Sequence, residues 1–252
     1  MIPVHGSHRI QGIVFKMGMS RRDLHTRVLN AASWVVFSGV LVNFISFSRM
    51  DLVYRLGRRF FREVAHGFTD FRVIGAERLN VAGAALVACN HVSFLDPPFV
   101  GQAFDEAIHY FARKTLFDYP VAGWVLRRWQ AIPIDRKKPD ATSLKQTIRL
   151  LRDGKKVLIF PEGTRSSTGA LQAAEAGVGL FIAKSQTPVL PMRIFGSYDC
   201  FPRGSWFIKP AKITLVVGEL WHPELDQTQE TGRELYQSLA NEVMRRIGEL
   251  HL

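Results

Sequence analysis

The sequence is poor in cysteine, with only Cys89 and Cys200 among its 252 residues. Two cysteines so far apart make neither a disulfide framework nor a zinc site, and they are typical of a reducing compartment. No small-residue cleavage site follows a short apolar core near the N-terminus, so we predict no signal peptide. Internal repeats and low-complexity segments are also absent from the sequence. These absences exclude disulfide-rich, zinc-finger and repeat architectures.

Three familiar chemical motifs are missing as well. The sequence has no Gly-x-Ser-x-Gly segment, which would indicate an acyl-serine route. It has no Walker loop, because no glycine-rich turn ends in Gly-Lys-Ser or Gly-Lys-Thr. No recognised nucleic-acid motif occurs either. The chemistry must therefore be sought in other patterns.

Acidic residues are in the minority, with 22 Asp and Glu against 33 Lys and Arg, and the formal net charge is +11. Such a balance favours an anionic partner, namely nucleic acid, an anionic lipid surface or an acidic carrier protein. The arginines cluster beside apolar helical patterns, which indicates an anionic membrane surface and no nucleic acid.

One long apolar run is present, over residues 31–48. It is slightly shorter than the roughly 20 residues that a membrane-spanning helix needs, so it either crosses the bilayer or lies in its interface. Residues 50–68 then repeat apolar side chains at helical spacing with arginines between them, which favours a membrane-surface helix. The alternative is a helix docked on the domain core with a solvated basic face. We predict a membrane-associating helical segment over residues 1–67 and a second domain over residues 68–252.

The second domain has an α/β pattern. Short, continuous apolar runs predict strands that are buried on both faces, at 71–75, 84–89, 107–111, 131–134, 156–160, 188–194 and 212–217. Helical patterns lie near 96–104, 119–129, 141–152 and 175–185. A final amphipathic helix starts at a Thr231–Glu234 capping box and carries an apolar stripe, Leu235, Leu239, Val243 and Ile247. We predict an α/β fold with a mixed, largely parallel sheet covered by helices.

A histidine and an aspartate follow the predicted strand 84–89, in the segment Asn90-His91-Val92-Ser93-Phe94-Leu95-Asp96-Pro97. Open α/β sheets bind their ligands at such strand ends. A tight turn would bring the Asp96 carboxylate to one imidazole nitrogen of His91, leaving the other nitrogen free to take a proton from a hydroxyl. The alternative is a capping aspartate beside a surface histidine.

Two further strand ends carry arginines. The turn after strand 156–160 reads Phe-Pro-Glu-Gly-Thr-Arg-Ser, in which Arg165, Thr164 and backbone N–H groups suit a phosphate. Arg136 follows strand 131–134 and is a second candidate phosphate ligand. The segment 187–192 is apolar with two prolines, and it is expected either in the core or along an acyl chain. For each turn the alternative is an ordinary exposed loop.

These segments, in this order, resemble the signature blocks of the glycerolipid acyltransferase family, whose bacterial members include 1-acyl-sn-glycerol-3-phosphate acyltransferase. The family's NHxxxxD block is matched by Asn90, His91 and Asp96, and its FPEGTRS block is matched in full by residues 160–166. The second block is matched only at Asp135 and Arg136, and the fourth in character at residues 189–192. The resemblance covers residues 71–218.

Two departures from the family pattern bear on the acceptor. The Phe-Lys-x-Gly segment that often follows the FPEGTRS block reads Ala-Glu-Ala-Gly here, at residues 174–177, without the lysine. Residues 113–116 loosely resemble the family's lysine-containing segment, which would place Lys114 near the thioester or the phosphate.

The resemblance implies an O-acyltransferase with a glycerolipid acyltransferase fold and a catalytic domain at residues 68–252. It implies that His91 is the general base and Asp96 its partner. The implied substrate-binding residues are Asn90, Lys114, Arg136, Glu162, Gly163, Thr164 and Arg165. The expected partners are a lysophospholipid acceptor, acyl-CoA or acyl carrier protein as donor, and an anionic membrane at the cytoplasmic face of the cell membrane; no metal or other cofactor is expected. Acylation of a lyso-amino-lipid or of glycerol 3-phosphate, and a non-catalytic lipid- or carrier-binding role, are the alternatives.

Overall fold

The structure is a computed structural model that describes residues 54–59, 62–63, 67, 69–135, 141–225 and 230–252. Within these ranges, none of the helices combines the length and apolar character needed to cross a bilayer. Residues 54–59 are helical. The apolar run 31–48 lies outside the described residues, so its membrane association and the boundary between residues 67 and 68 stay predictions.

Seven strands form a single sheet in the order β1-β7-β6-β2-β5-β3-β4. Five neighbouring pairs are parallel and one, β6 with β7, is antiparallel. The strands are β1 Thr69–Ile74, β2 Ala85–Cys89, β3 His109–Arg113, β4 Ala131–Ile134, β5 Lys156–Ile159, β6 Val189–Phe195 and β7 Ala211–Val217. All seven predicted strands are present, and the largely parallel sheet is confirmed.

Helices cover both faces of the sheet, which is why β2 and β5 are buried along their whole length. The helices are α1 Asp96–Ala103, α2 Pro120–Arg128, α3 Ala141–Arg152, α4 Gly177–Ser185, α5 Ser197–Cys200 and α6 Gly232–Gly248. Two 3₁₀ turns lie at Ala76–Leu79 and Lys114–Asp118. The short helix α5 and the two 3₁₀ turns were not predicted.

The buried apolar side chains form two clusters, one on each face of the sheet. One cluster joins α1 to the sheet through Phe99 and Phe104. The other contains Leu239, Val243 and Ile247 of α6, with Leu235 packed against it, so the predicted stripe is confirmed. The predicted capping box is not formed. Thr231 precedes α6 with an extended backbone, but its side chain makes no capping hydrogen bond.

Helices α4 and α6 cross in close contact at Gly179. A Cβ atom built at Gly179 would lie 1.8 Å from the carbonyl oxygen of Tyr236. The other α4 glycine, Gly177, has open space around the same position. The two helix backbones therefore touch at a point that only glycine permits.

The strand directions gather several loops at one edge of the sheet. Strands β2 to β6 are parallel, so their carboxyl ends share that edge. Strand β7 runs the opposite way beside β6, and the connection over residues 196–210 therefore lies at the same edge. The predicted mixed sheet is therefore present, although the sequence pattern did not indicate which strand reverses. His91 follows β2 at this edge, so we call it the catalytic edge, after the role that the family resemblance implies for that residue.

Candidate active site

His91 and Asp96 meet in a tight turn between β2 and α1. His91 Nδ1 and Asp96 Oδ2 are 2.8 Å apart, and both side chains are buried. Asp96 is the first residue of α1, where the following Pro97 needs no hydrogen-bond acceptor for its nitrogen. The predicted approach of the two side chains is therefore present in the structure.

The Asp96 carboxylate accepts three more hydrogen bonds from the protein. The backbone N–H groups of Val92 and Ser93 both donate to Oδ2 at 2.7 Å, and the Ser197 hydroxyl donates to Oδ1 at 2.6 Å. These bonds fix the carboxylate and thereby the orientation of the imidazole of His91. With Nδ1 held by Asp96, Nε2 is the nitrogen that can exchange a proton with a hydroxyl. Ser197 was not among the predicted site residues.

The turn after β5 packs directly against His91. The Phe160 ring stacks on the imidazole with its centroid 4.0 Å away and a 17° angle between the rings. The backbone N–H of His91 donates to Glu162 Oε1 at 2.9 Å, and the backbone N–H of Ser166 donates to the His91 carbonyl at 2.8 Å. The structure thus brings together the two turns that carry the two family motifs.

Glu162 is buried, and its second oxygen, Oε2, accepts a hydrogen bond from the Gln172 amide at 2.8 Å. Burial raises the pKa of Glu162, although the hydrogen bonds from Gln172 and the His91 backbone partly oppose this. Its described hydrogen bonds go to protein groups, so it joins the His91 turn to the segment after β5.

This raised pKa predicts a pH-dependent stability. A carboxyl group whose pKa is higher in the folded than in the unfolded protein favours folding below its ordinary pKa of 4.5 and loses that contribution as pH rises through the folded value. The unfolding free energy of the wild type minus that of Glu162→Gln should therefore fall as the pH rises above 4.5. Urea titrations at several pH values measure it. A difference that rises over this range would contradict the raised pKa.

Arg165 precedes Ser166, whose N–H bonds the His91 carbonyl, and it has other arginines near it. Burial lowers the pKa of Arg165, and the nearby Arg203 and Arg113 lower it further, whereas Asp96 raises it. Its guanidinium carbon lies 5.7 Å from the centre of the Phe94 ring. Arg113 and Arg203 are thus both near enough to act on the Arg165 guanidinium, and such a group of arginines suits an anion.

Arg113 and Arg203 were not predicted as site residues. Arg113 is the last residue of β3, two residues beyond the predicted end of that strand. A strand-end position at the catalytic edge was the signal that could have found it. The predicted Lys114 is the exposed first residue of the following 3₁₀ turn. Arg136 lies outside the described residues, so its role stays a prediction.

The remaining predicted residues occupy different places. The Asn90 side chain forms two hydrogen bonds with the Ile194 backbone, at 3.1 and 2.7 Å, and so joins β2 to β6. Gly163 and Thr164 are exposed in the turn after β5. Gly163 has a φ of 65°, which favours glycine. Asn90 therefore holds the sheet together just before His91, and the other two residues face outward.

Cys89 precedes Asn90 and is completely buried. Burial raises the pKa of its thiol well above the usual value, and the Asp96 and Glu162 carboxylates raise it further. At neutral pH the thiol is therefore protonated, which argues against a cysteine nucleophile.

In the fourth segment, Val189, Leu190 and Met192 lie in the two core clusters, as the core interpretation predicted.

An apolar cleft opens next to the turn of His91. It is lined by Pro97, Pro98 and Gln102 of α1, by Tyr110 and Trp129, and by Tyr54 of the N-terminal helical turn. The Gln102 amide is buried and has no hydrogen-bond partner among the described residues. The cleft, which Arg58 also lines, suits a largely apolar chain.

A histidine held by a carboxylate, with arginines near it, is an arrangement that suits general-base chemistry on an anionic substrate. The family model described as Acyltransferase matches residues 70–195. The chain is 30% identical over 186 residues to the 1-acyl-sn-glycerol-3-phosphate acyltransferase of Bacillus subtilis, covering 71% of this chain and 87% of that protein. The chain therefore belongs to the acyltransferase family and is an enzyme of acyl transfer, which confirms the resemblance found in the sequence.

Two further comparisons agree with this assignment. The chain is 27% identical to the chloroplastic 1-acyl-sn-glycerol-3-phosphate acyltransferase LPAT1 of Arabidopsis thaliana, covering 59% of this chain and 44% of that longer protein. The crystal structure of the 1-acyl-sn-glycerophosphate (LPA) acyltransferase PlsC from Thermotoga maritima is similar in fold, with a TM-score of 0.63 and 25% identity. That match covers 89% of this chain and 94% of the other.

Proposed function

We propose that the protein transfers an acyl group from an acyl thioester to the free sn-2 hydroxyl of 1-acyl-sn-glycerol-3-phosphate, forming phosphatidic acid for phospholipid synthesis. The names of the similar proteins support this acceptor. The main support for the proposal is the 2.8 Å contact between His91 Nδ1 and Asp96 Oδ2, with Arg165 and its neighbouring arginines close to Asp96. The donor is acyl-CoA or acylated acyl carrier protein.

His91 acts as the general base in this proposal. Its Nε2 takes the proton of the acceptor hydroxyl while that oxygen attacks the thioester carbonyl. The Asp96 carboxylate holds the ring and offsets the positive charge that forms on it. When the tetrahedral intermediate collapses, the C–S bond breaks and the thiolate leaves. The imidazolium then returns its proton to the sulfur, so no side chain is acylated.

Arginines hold the acceptor in place. Arg165 binds the phosphate, and Arg113 and Arg203 add positive charge close to it. Arg136 remains a second candidate phosphate ligand, on the evidence of the sequence alone. Glu162 is a positioning residue, because it accepts the His91 N–H and so fixes the turn that carries the base.

The apolar cleft is our candidate for an acyl chain. It starts at Pro97, the residue directly after Asp96, and is lined mainly by apolar and aromatic side chains. A chain bound there would run away from the reacting carbonyl along α1. Donors of different acyl length would reveal the depth of the cleft.

An assay of acyl transfer tests the proposed function directly. The full chain would receive lysophosphatidic acid with acyl-CoA or with acyl carrier protein as donor, and glycerol 3-phosphate or a lyso-amino-lipid as competing acceptors. We expect phosphatidic acid as the main product with at least one donor. Preferred acylation of another acceptor would assign a different substrate to the same site.

Replacing Arg165 by alanine should mainly raise the KM for the phosphorylated acceptor. Hydrogen bonds to charged groups contribute about 1.5–3 kcal/mol, so we expect a rise of roughly 10- to 100-fold with a much smaller change in kcat. Steady-state kinetics at varied lysophosphatidic acid measure this. Arg233→Ala, on the exposed start of α6, is the matched control. An unchanged KM for Arg165→Ala would place the phosphate elsewhere.

A further inference from the structure

The loop between α5 and β7 exposes three consecutive large apolar side chains. Trp206 is 90% exposed, Phe207 77% and Ile208 51%. Single exposed apolar residues are common on soluble proteins, but a contiguous group that includes two aromatic rings marks an interaction site. We call residues 202–209 the aromatic loop.

The aromatic loop is fastened to the turn that carries His91. The Lys209 N–H donates to the Cys200 carbonyl at 2.9 Å and closes the loop at its base. The Ser93 hydroxyl donates to the Phe201 carbonyl at 2.8 Å, and the Phe94 and Phe201 rings meet edge to face. The loop therefore stands at the catalytic edge of the sheet.

Basic residues flank the exposed apolar residues in the chain. Arg203 and Lys209 lie within the loop, and Arg203 is close enough to Arg165 to affect its pKa. Exposed aromatic side chains with basic residues on either side of them in the chain are suited to the headgroup region of an anionic bilayer, where the rings enter the interface and the cations meet lipid phosphates. This charge arrangement favours a lipid surface over an uncharged apolar partner.

We propose that the aromatic loop inserts into the interface of an anionic bilayer and holds the catalytic edge against the membrane. The identity of the lipid that enters the site from this surface rests on the proposed function. The membrane contact itself can be measured without any turnover.

Tryptophan fluorescence tests the contact at one residue. The full chain is mixed with phosphatidylcholine vesicles containing about a third of phosphatidylglycerol, with or without bromine on the acyl chains. The emission of wild type minus that of Trp206→Phe isolates the signal of Trp206 from the other four tryptophans. We expect this signal to shift to the blue and to be quenched by the brominated lipid. An unshifted and unquenched signal would overturn the proposal.

A triple variant tests the consequence for binding. Trp206→Ser, Phe207→Ser and Ile208→Ser together should weaken affinity for these vesicles by roughly 10-fold or more. Ile74→Ser is the control, because Ile74 is a partly exposed apolar residue at the end of β1, at the opposite edge of the sheet. If the triple variant binds vesicles as the control does, the loop is not a membrane contact.

Activity separates this proposal from the proposed function. Toward a short-chain lysolipid dissolved as monomers, the triple variant should turn over as the wild type does, whereas its KM for lysolipid in vesicles should rise. An equal loss on both substrates would mean that the loop acts in the site and not at the membrane. If the wild type transfers no acyl group, the vesicle measurements still decide the role of the loop.

Discussion

Replacing His91 by alanine is expected to lower the rate of acyl transfer by roughly 10²- to 10⁴-fold, the usual effect of removing a positioned general base. Neighbouring groups cannot take its place. The nearby cysteine, Cys89, is buried, and Asp96 is saturated with donors. The fold should persist, because Asp96 keeps the Val92, Ser93 and Ser197 hydrogen bonds when the imidazole is gone.

Circular dichroism and acyl-transfer kinetics together check this result. His222→Ala is the matched control, since His222 is exposed and lies outside the site. We expect unchanged spectra for both variants and near wild-type turnover for His222→Ala. Near wild-type turnover for His91→Ala would remove His91 from the mechanism.

Replacing Gly179 by alanine is expected to destabilise the protein by about 1–3 kcal/mol or more, the usual cost of overpacking a core. The added methyl would lie 1.8 Å from the carbonyl oxygen of Tyr236, and this neighbour is backbone that cannot rotate away. Alanine also favours a helix over glycine by about 1 kcal/mol. The clash outweighs this gain, because relieving it requires α4 and α6 to move apart.

Gly177→Ala is the control on the same helix, since a methyl there meets open space. It should leave stability unchanged or raise it by up to about 1 kcal/mol. Urea unfolding followed by circular dichroism compares the two variants. Equal unfolding free energies would show that α4 and α6 do not touch at Gly179.

The strands and helices of the catalytic domain could be predicted because their apolar patterns are simple. Strands β2 and β5 are buried on both faces, so each appears in the sequence as a short apolar run between polar turns. The stripe on α6 repeats at helical spacing for the same reason, since one face packs on the sheet. The contact between His91 and Asp96 could also be predicted, because both residues lie in one turn.

Features that depend on distant segments could not be predicted. The antiparallel direction of β7 beside β6 leaves no mark on the composition of either strand. Ser197 reaches Asp96 across 101 positions of sequence, and a serine at a strand end has no distinctive pattern. Asn90 was predicted to bind substrate, yet its amide is drawn to the Ile194 backbone of a neighbouring strand. Arg113 was missed because its strand extends two residues beyond the predicted end, and Arg203 lies in a loop where one more arginine does not stand out.

The hydrogen bonds to the Asp96 carboxylate affect where the proton taken up by His91 can go. Four protein donors point at its two oxygens, so a proton taken up by the histidine cannot settle on the carboxylate instead. In the proposed cycle that proton leaves with the departing sulfur, and the pair regains its starting charge without exchange with bulk solvent. A catalyst of this kind can complete turnover after turnover while pressed against a surface that keeps water out.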